Sequence, residues 1–201
     1  MRGRLIALEG GERSGKSTQA RLLAERLGAV LTHEPGGTAL GRRIRELVLD
    51  PAADAPVPRA EALLLAADRA QHVAEVVRPA LAQGRDVVTD RFSGSTLAYQ
   101  GHGRGLDVDQ LASLSRWAAD GVEPDVVVLL DVPAAVAAAR HGPSDDRMEA
   151  EDAAFHERVA AGYRALAAAD PAWTVVDGRG SVEEVAARVA EAVRDRLAVG
   201  R

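Results

Sequence analysis

Apolar positions divide the chain into short continuous runs and longer stretches with helical spacing. "LIALE" at 5–9, "AVLT" at 29–32, "DVVT" at 86–89, "DVVVLL" at 125–130 and "WTVV" at 173–176 are brief, rich in Val, Ile and Leu, and scarcely alternate. Runs of that kind predict strands covered by helices on both faces. Between them, periodic Ala/Leu/Arg stretches predict helices near 17–27, 39–49, 59–83, 95–101, 108–120, 133–140, 151–169 and 181–198. The alternation gives an α/β fold, a five-stranded parallel sheet flanked by helices. The Pro-rich "DPAADAPVP" at 50–58 and the polar "HGPSDD" at 141–146 interrupt the pattern, but neither is long enough to split the chain. Residues 1–201 are expected to form a single domain.

Composition narrows the possibilities. A net charge of −5 on 201 residues argues against a general nucleic-acid binder. With no Cys there is neither a disulfide framework nor a thiol nucleophile. The N-terminus turns to Gly and charge too early for a signal peptide, and the longest apolar run, Val126 to Ala139, is broken by Asp131 and Pro133. A cytoplasmic location away from membranes is therefore expected. Of the 25 Lys and Arg residues a single one is lysine, Lys16. A compact ammonium kept at one place, in a chain that otherwise uses guanidinium, suggests a site that Arg cannot fill.

Lys16 lies in Gly10-Gly11-Glu12-Arg13-Ser14-Gly15-Lys16-Ser17, which fits G-x-x-x-x-G-K-[ST], with an apolar strand leading in and a helix opening at Ser17 and Thr18. In such a loop the backbone amides converge on phosphate oxygens, helped by the helix N-terminus. Lys16 would reach the β- and γ-phosphates, and Ser17 would ligate Mg²⁺. The base motif of guanine-specific switches needs an Asn and a further Lys. This chain contains no Asn and has no second Lys, so ATP is the expected nucleotide.

Two more segments concern the acceptor. "THEPGGTALGRRIRELVLD", 32–50, joins a strand end to a Pro-Gly-Gly turn and an arginine-bearing helix. "VVTDRFSGSTLAYQGHGRG", 87–105, sets Asp90 and Arg91 at the carboxyl end of a strand, where open α/β sheets bind ligands. The stretches "EPGGT" at 34–38, "AADRAQH" at 66–72 and "DRFSGSTLAYQG" at 90–101 resemble, in order and spacing, the motifs of the thymidylate kinase family. The resemblance runs from about residue 4 to residue 190.

It implies a P-loop nucleoside monophosphate kinase fold with a short lid at about 140–150, Mg²⁺-dependent transfer from ATP to dTMP, and a homodimer. It further implies that Glu12 faces the sugar 3′-OH and the Mg²⁺ shell, and that Arg69 bonds a thymine carbonyl. Arg91 would bind the acceptor phosphate and the phosphoryl in flight, and Asp90 would hold Mg²⁺ or its waters. Thr96 would meet the base edge and Tyr99 would crowd the 2′ position, with Pro35, Ser95 and Gln100 also lining the dTMP site. Arg45 is the expected second phosphate clamp, with Arg42 as competitor.

Relatives carry Phe where this chain has Leu65, which reduces stacking on the base. For the charge that meets the transferring phosphoryl, Arg13 in the cradle is the expected main source, with Arg140 and Arg147 of the lid at the ATP. Glu149 is a candidate near Mg²⁺. The alternatives are a kinase for another nucleoside monophosphate such as dUMP, or an ATP-binding module without phosphotransfer.

Overall fold

A computed structural model describes residues 2–140 and 146–199. Residues 141–145, part of the lid expected at 140–150, lie outside the described set. Five strands, β1 Leu5–Glu9, β2 Val30–His33, β3 Val87–Asp90, β4 Val126–Asp131 and β5 Trp173–Asp177, pair in parallel in the order β2-β3-β1-β4-β5. β1 spans the expected residues, whereas the other four strands run one residue further at their carboxyl ends than the apolar runs indicate. His33 pairs with Asp90 and Asp131 with Asp177. Backbone pairing there continues through polar residues that an apolar pattern cannot mark.

The pleat sorts each strand into two packed layers. Ile6, Leu8, Val88, Val126, Val128 and Leu130 pack with Ala20, Leu23 and Ala24 of α1 (Lys16–Leu27) and Val185, Val189 and Val193 of α9 (Val182–Val199). Leu5, Ala7, Val87, Val127 and Leu129 face the opposite layer. That layer draws on α2 (Ala39–Leu49), α3 (Pro58–His72), α4 (Arg78–Ala82) and α8 (Ala153–Ala169), with α6 (Val108–Ala118) packed against α3. Both faces of the sheet are covered, which is why its central strands read as unbroken apolar runs. Two short helices, α5 (Ser93–Thr96) and α7 (Ala134–Ala139), follow β3 and β4.

The helices expected at 59–83 and 95–101 are each interrupted. Residues Val73–Val77 and Leu97–Gly103 are π-helical. In the first, Arg78 N–H bonds back five residues to the Val73 carbonyl, and Pro79 has no N–H with which to resume the α register. In the second, Arg104 N–H bonds the Tyr99 carbonyl at 2.8 Å, again five residues back. That wider turn carries Tyr99 and Gln100, in keeping with the tendency of π segments to occur at functional sites.

Chain direction reverses about β1, since β1 leads by way of α1 to one sheet edge and β3 leads to β4 on the other side. The carboxyl ends of β1 and β3 therefore open onto a crevice. Among the described residues no helix is long and apolar enough to cross a membrane. Of the two tryptophans, Trp173 is buried whereas Trp117 is 81% exposed.

Candidate active site

The loop after β1 turns sharply into α1. Gly15, with φ +91°, caps the helix in a left-handed conformation that a side chain would oppose. Lys16 folds back beneath the loop. Its Nζ donates to the Gly11 carbonyl at 2.6 Å and to Ser14 Oγ at 3.3 Å. Burial, reinforced by the nearby Arg91 charge, pushes the Lys16 ammonium down to about 8. A buried ammonium held by one carbonyl and one hydroxyl can exchange them for an anion, which would satisfy it better.

From the end of β3, Asp90 meets α1. Ser17 Oγ donates to Asp90 Oδ2 at 2.5 Å, and Asp90 Oδ1 is buried with no hydrogen-bond partner. A hydroxyl beside a carboxylate oxygen left unsatisfied fits a hard divalent cation. Among the described residues no cluster of three or more His, Cys, Asp or Glu could hold a metal alone. Mg²⁺ is usually bound through one or two carboxylates together with phosphates and waters.

Arg91 follows with φ +70°, an unusual conformation for a side-chain-bearing residue. Its Nη2 donates to Glu12 Oε1 at 2.6 Å and to Tyr99 OH at 3.3 Å, and its guanidinium lies 4.9 Å from the Tyr99 ring centre. Its Nη1 reaches the Gly10 carbonyl, Ser95 Oγ and Tyr163 OH. Burial opposes ionisation of Glu12, but the charges of Arg91 and Lys16 outweigh it and hold the carboxyl at about 2. Tyr99 OH also donates to Glu12. Burial pushes the Glu9 carboxyl up, against the pull of Ser95 and Arg91.

A second, deeper group closes the other end. Arg69 is 2% exposed, and its Nε donates to Glu34 Oε2 at 2.9 Å. Its terminal nitrogens donate to Ser115 Oγ at 3.2 Å and Thr96 Oγ1 at 3.0 Å. His72 is wedged between Glu34 Oε1 at 2.8 Å and Thr32 Oγ1 at 2.7 Å. Gln100 Nε2 donates to the buried Glu61 Oε1 at 2.8 Å, which fixes the amide orientation and leaves Oε1 as the acceptor.

Asp68 accepts the Gly36 N–H at 3.0 Å through Oδ1, while Oδ2 is buried without a partner. Burial and the Glu34 charge push its carboxyl up to about 6 from an ordinary 3.8. The folded chain thus keeps a proton that the unfolded chain releases, and stability falls as pH rises from about 4 to about 6. Asp68→Asn retains the Gly36 bond and removes this penalty. Thermal unfolding of the variant and the parent from pH 4 to 8 should show the variant gaining through that window, to roughly 1–3 kcal/mol at neutrality. A difference that does not change with pH would contradict this.

One cavity of about 710 Å³ joins the two groups. All ten residues expected at the dTMP site line it (Glu12, Pro35, Arg45, Leu65, Arg69, Arg91, Ser95, Thr96, Tyr99 and Gln100), as do Arg13, Gly15, Lys16, Ser17, Thr18, Asp90 and Glu149. Gly10, Gly11 and Ser14 do not line it; the Gly11 carbonyl and Ser14 hydroxyl accept from Lys16, and the Gly10 carbonyl from Arg91. Arg42 is exposed and outside the cavity, whereas Arg45 lines it and donates to the Pro35 carbonyl at 3.2 Å.

Two of the arginines expected at the ATP lie outside this cavity. Arg140 does not line the cavity; its guanidinium is bound by the carbonyls of Arg13, Ser14 and Gly178. Arg147 does not line it either, and is held by the carbonyls of Val48 in the last turn of α2 and of Asp50 and Ala53 beyond it. Exposed carbonyls past a helix C-terminus attract cations, and a count of basic residues in a loop does not tell which acceptors they find.

Sequence reading passed over Glu9, Glu34, Glu61, Asp68 and Tyr163 as site components. Glu34 and Asp68 lie inside the quoted "EPGGT" and "AADRAQH" stretches, which was the available signal; the others had none.

The family model for thymidylate kinase matches residues 8–189. A thymidylate kinase of Synechococcus sp. (strain JA-2-3B'a(2-13)) is 50% identical over 198 residues, covering 96% of this chain and 95% of that protein. One from Leifsonia xyli subsp. xyli is 52% identical over 195 residues, covering 93% and 92%. The crystal structure of thymidylate kinase from Ehrlichia chaffeensis superposes with a TM-score of 0.81 at 30% identity, covering 96% of this chain and all of that one.

Proposed function

This chain belongs to the thymidylate kinase family, and on that premise we propose how its residues divide the transfer of a phosphoryl group from ATP to dTMP. The observation that carries the assignment of roles is one continuous cavity with Lys16 and Ser17 of the cradle at one end and Arg69, Thr96 and Gln100 at the other. The cradle amides and Lys16 hold the donor phosphates, and Arg13 brings charge to the group in flight. Arg91 and Arg45 clamp the acceptor phosphate. Arg69 donates to a base carbonyl, and Gln100 Oε1 accepts an imide N–H. Glu12, ionised throughout the physiological range, takes the 3′-OH, and Tyr99, tied to it, fills the space beside the 2′ position.

Ser17 and Asp90 would hold Mg²⁺, with Glu149 beside its waters; the ion would neutralise charge on the donor phosphates. Asp146, Met148 and Glu149 line the cavity mouth, and the lid role belongs to this segment of a single domain. Exposed apolar side chains on α2, α3 and α6, among them Leu47, Leu63 and Trp117, support a homodimer. The net charge of −5 argues against nucleic acid as a partner and is compatible with small anions held by a local cluster of arginines, and a cytoplasmic enzyme is part of the same proposal.

A coupled ADP-release assay across dTMP, dUMP, dCMP, dGMP and AMP tests the base assignment. dTMP should be preferred, with dUMP behind it by about 10–200-fold in kcat/KM, the worth of one methyl group. dCMP should give no turnover, because its ring would oppose a lone pair to Gln100 Oε1 and an amino group to Arg69. Equal turnover of dCMP would overturn the polarity assigned to these two residues. At Leu65, which lines the cavity, Leu65→Phe should restore stacking and lower the dTMP KM about 2–10-fold, equivalent to ~0.5–1.5 kcal/mol. A raised or unchanged KM would remove Leu65 from the base pocket.

A further inference from the structure

Glu9 ends β1, one residue before the cradle, and is fully buried, yet no part of the transfer described above falls to it. Its carboxylate gathers four donors. Oε1 accepts the backbone N–H of Phe92 at 2.9 Å and of Ser95 at 3.1 Å. Oε2 accepts Ser95 Oγ at 2.6 Å and Tyr163 OH at 3.1 Å. The same two hydroxyls touch Arg91, whose Nη1 donates to Ser95 Oγ at 3.1 Å and to Tyr163 OH at 3.3 Å.

A hydroxyl has one proton to give. A carboxylate only accepts, so Ser95 gives its proton to Glu9, and Tyr163 gives its own to Glu9 or to Ser95 Oγ at 2.9 Å; either way both hydroxyls present lone pairs to the guanidinium. Space around the group is closed as well. A Cβ on Gly94 would sit 2.8 Å from Glu9 Oε1 and 2.7 Å from the Trp173 ring. The Phe92 N–H held by Oε1 immediately follows Arg91, whose backbone is in the left-handed region, so one side chain secures both the turn and the hydroxyl partners of the arginine it presents.

We propose that Glu9 is a positioning residue for phosphoryl transfer: it orients the hydroxyls of Ser95 and Tyr163 so that both receive hydrogen bonds from Arg91, aiming that guanidinium at the acceptor phosphate. The inference rests on the reading of Arg91 as the phosphate clamp. It requires a carboxylate specifically. An amide in the same place would donate from its nitrogen to both hydroxyls, and at least one of their protons would turn toward a cation.

The test compares the parent with Glu9→Gln, Tyr163→Phe, their double variant and Arg91→Ala. Calorimetric Kd values for dTMP and for thymidine, which lacks the phosphate, are measured beside steady-state kinetics and Tm. Glu9→Gln should weaken dTMP about tenfold or more and lower kcat by about 10–100-fold, while thymidine binding stays within about threefold. Tyr163→Phe should show the same selectivity at about 3–10-fold, and the double variant should add little to Glu9→Gln.

Equal losses for dTMP and thymidine, or no loss for either, would overturn the inference. If Glu9→Gln does not fold, Tyr163→Phe decides alone, and an unchanged ratio of dTMP to thymidine affinity refutes it. Arg91→Ala separates the premise. Should it leave that ratio intact, the clamp reading itself fails. Should it abolish the preference while Glu9→Gln and Tyr163→Phe keep it, only the role of Glu9 is lost.

Discussion

Lys16→Met should yield an enzyme with kcat/KM lowered by about 10³-fold or more that is at least as stable as its parent. The two halves of this expectation come from one fact, the burial of the ammonium. With its pKa pushed from 10.5 down to about 8, the folded chain binds this proton less tightly than the unfolded chain does. Below pH 8 the protonated lysine therefore burdens the fold, and stability rises with pH between about 8 and 10.5. Methionine has a similar stem and no charge. It forgoes the hydrogen bonds to Gly11 and Ser14 but removes a penalty of up to about 3 kcal/mol. Nucleotide-free Tm at pH 7 should stay level or rise, and its slope with pH above 8 should flatten.

A drop in Tm of many degrees would instead attribute lost activity to misfolding. Lys16→Arg separates charge from shape. Nζ already lies 2.6 Å from the Gly11 carbonyl, so the longer, forked guanidinium has no room to occupy the same place. Activity should fall nearly as far as in Lys16→Met although the positive charge is kept.

What could be read in the chain beforehand was whatever is contiguous in it. The cradle is a strand, a glycine loop and a helix in unbroken order, and the Asp90–Gln100 segment is another such block. The cavity residues these blocks supply, and the strands that carry them, were therefore legible. The sheet's ladder ends were less so, because pairing such as Asp131 with Asp177 depends on backbone partners and not on polarity.

The supporting groups were illegible for a different reason. Glu9 meets Tyr163 across 154 positions of sequence, and Arg69 meets Glu34 across 35. No period or spacing marks such pairs. A buried carboxylate in a strand reads as an anomaly until its four donors are in view. The π segments were hidden similarly, since helical propensity does not distinguish a bond to the fourth residue from one to the fifth. Pro79 was the single local hint.

The placement of the lid arginines sharpens the expectation for Arg13. Of the three arginines assigned to ATP, Arg13 lines the cavity, while Arg140 and Arg147 are bound by backbone carbonyls outside it. Arg13 stands at φ +56° in the cradle, and its Nη2 is 3.4 Å from Glu149 Oε2 across the cavity mouth. An arginine seated in the loop proposed to hold the donor phosphates can meet charge as it develops on the transferring group, an effect worth about 10³-fold or more in turnover.

Arg13→Gly tolerates the left-handed backbone and removes the charge, so it should lower kcat by about that factor while the dTMP KM moves only a few-fold. Arg13→Lys keeps a charge but loses the fork, and should recover a minor part of the rate. Arg140 holds the Arg13 and Ser14 carbonyls and the Gly178 loop together, so Arg140→Ala should loosen the cradle and raise the ATP KM more than it lowers kcat. If Arg13→Gly costs less than about tenfold in kcat, the charge must come from elsewhere. Arg147 would then have to leave the carbonyls of Val48, Asp50 and Ala53 during turnover, and Arg147→Ala would carry the loss in its place.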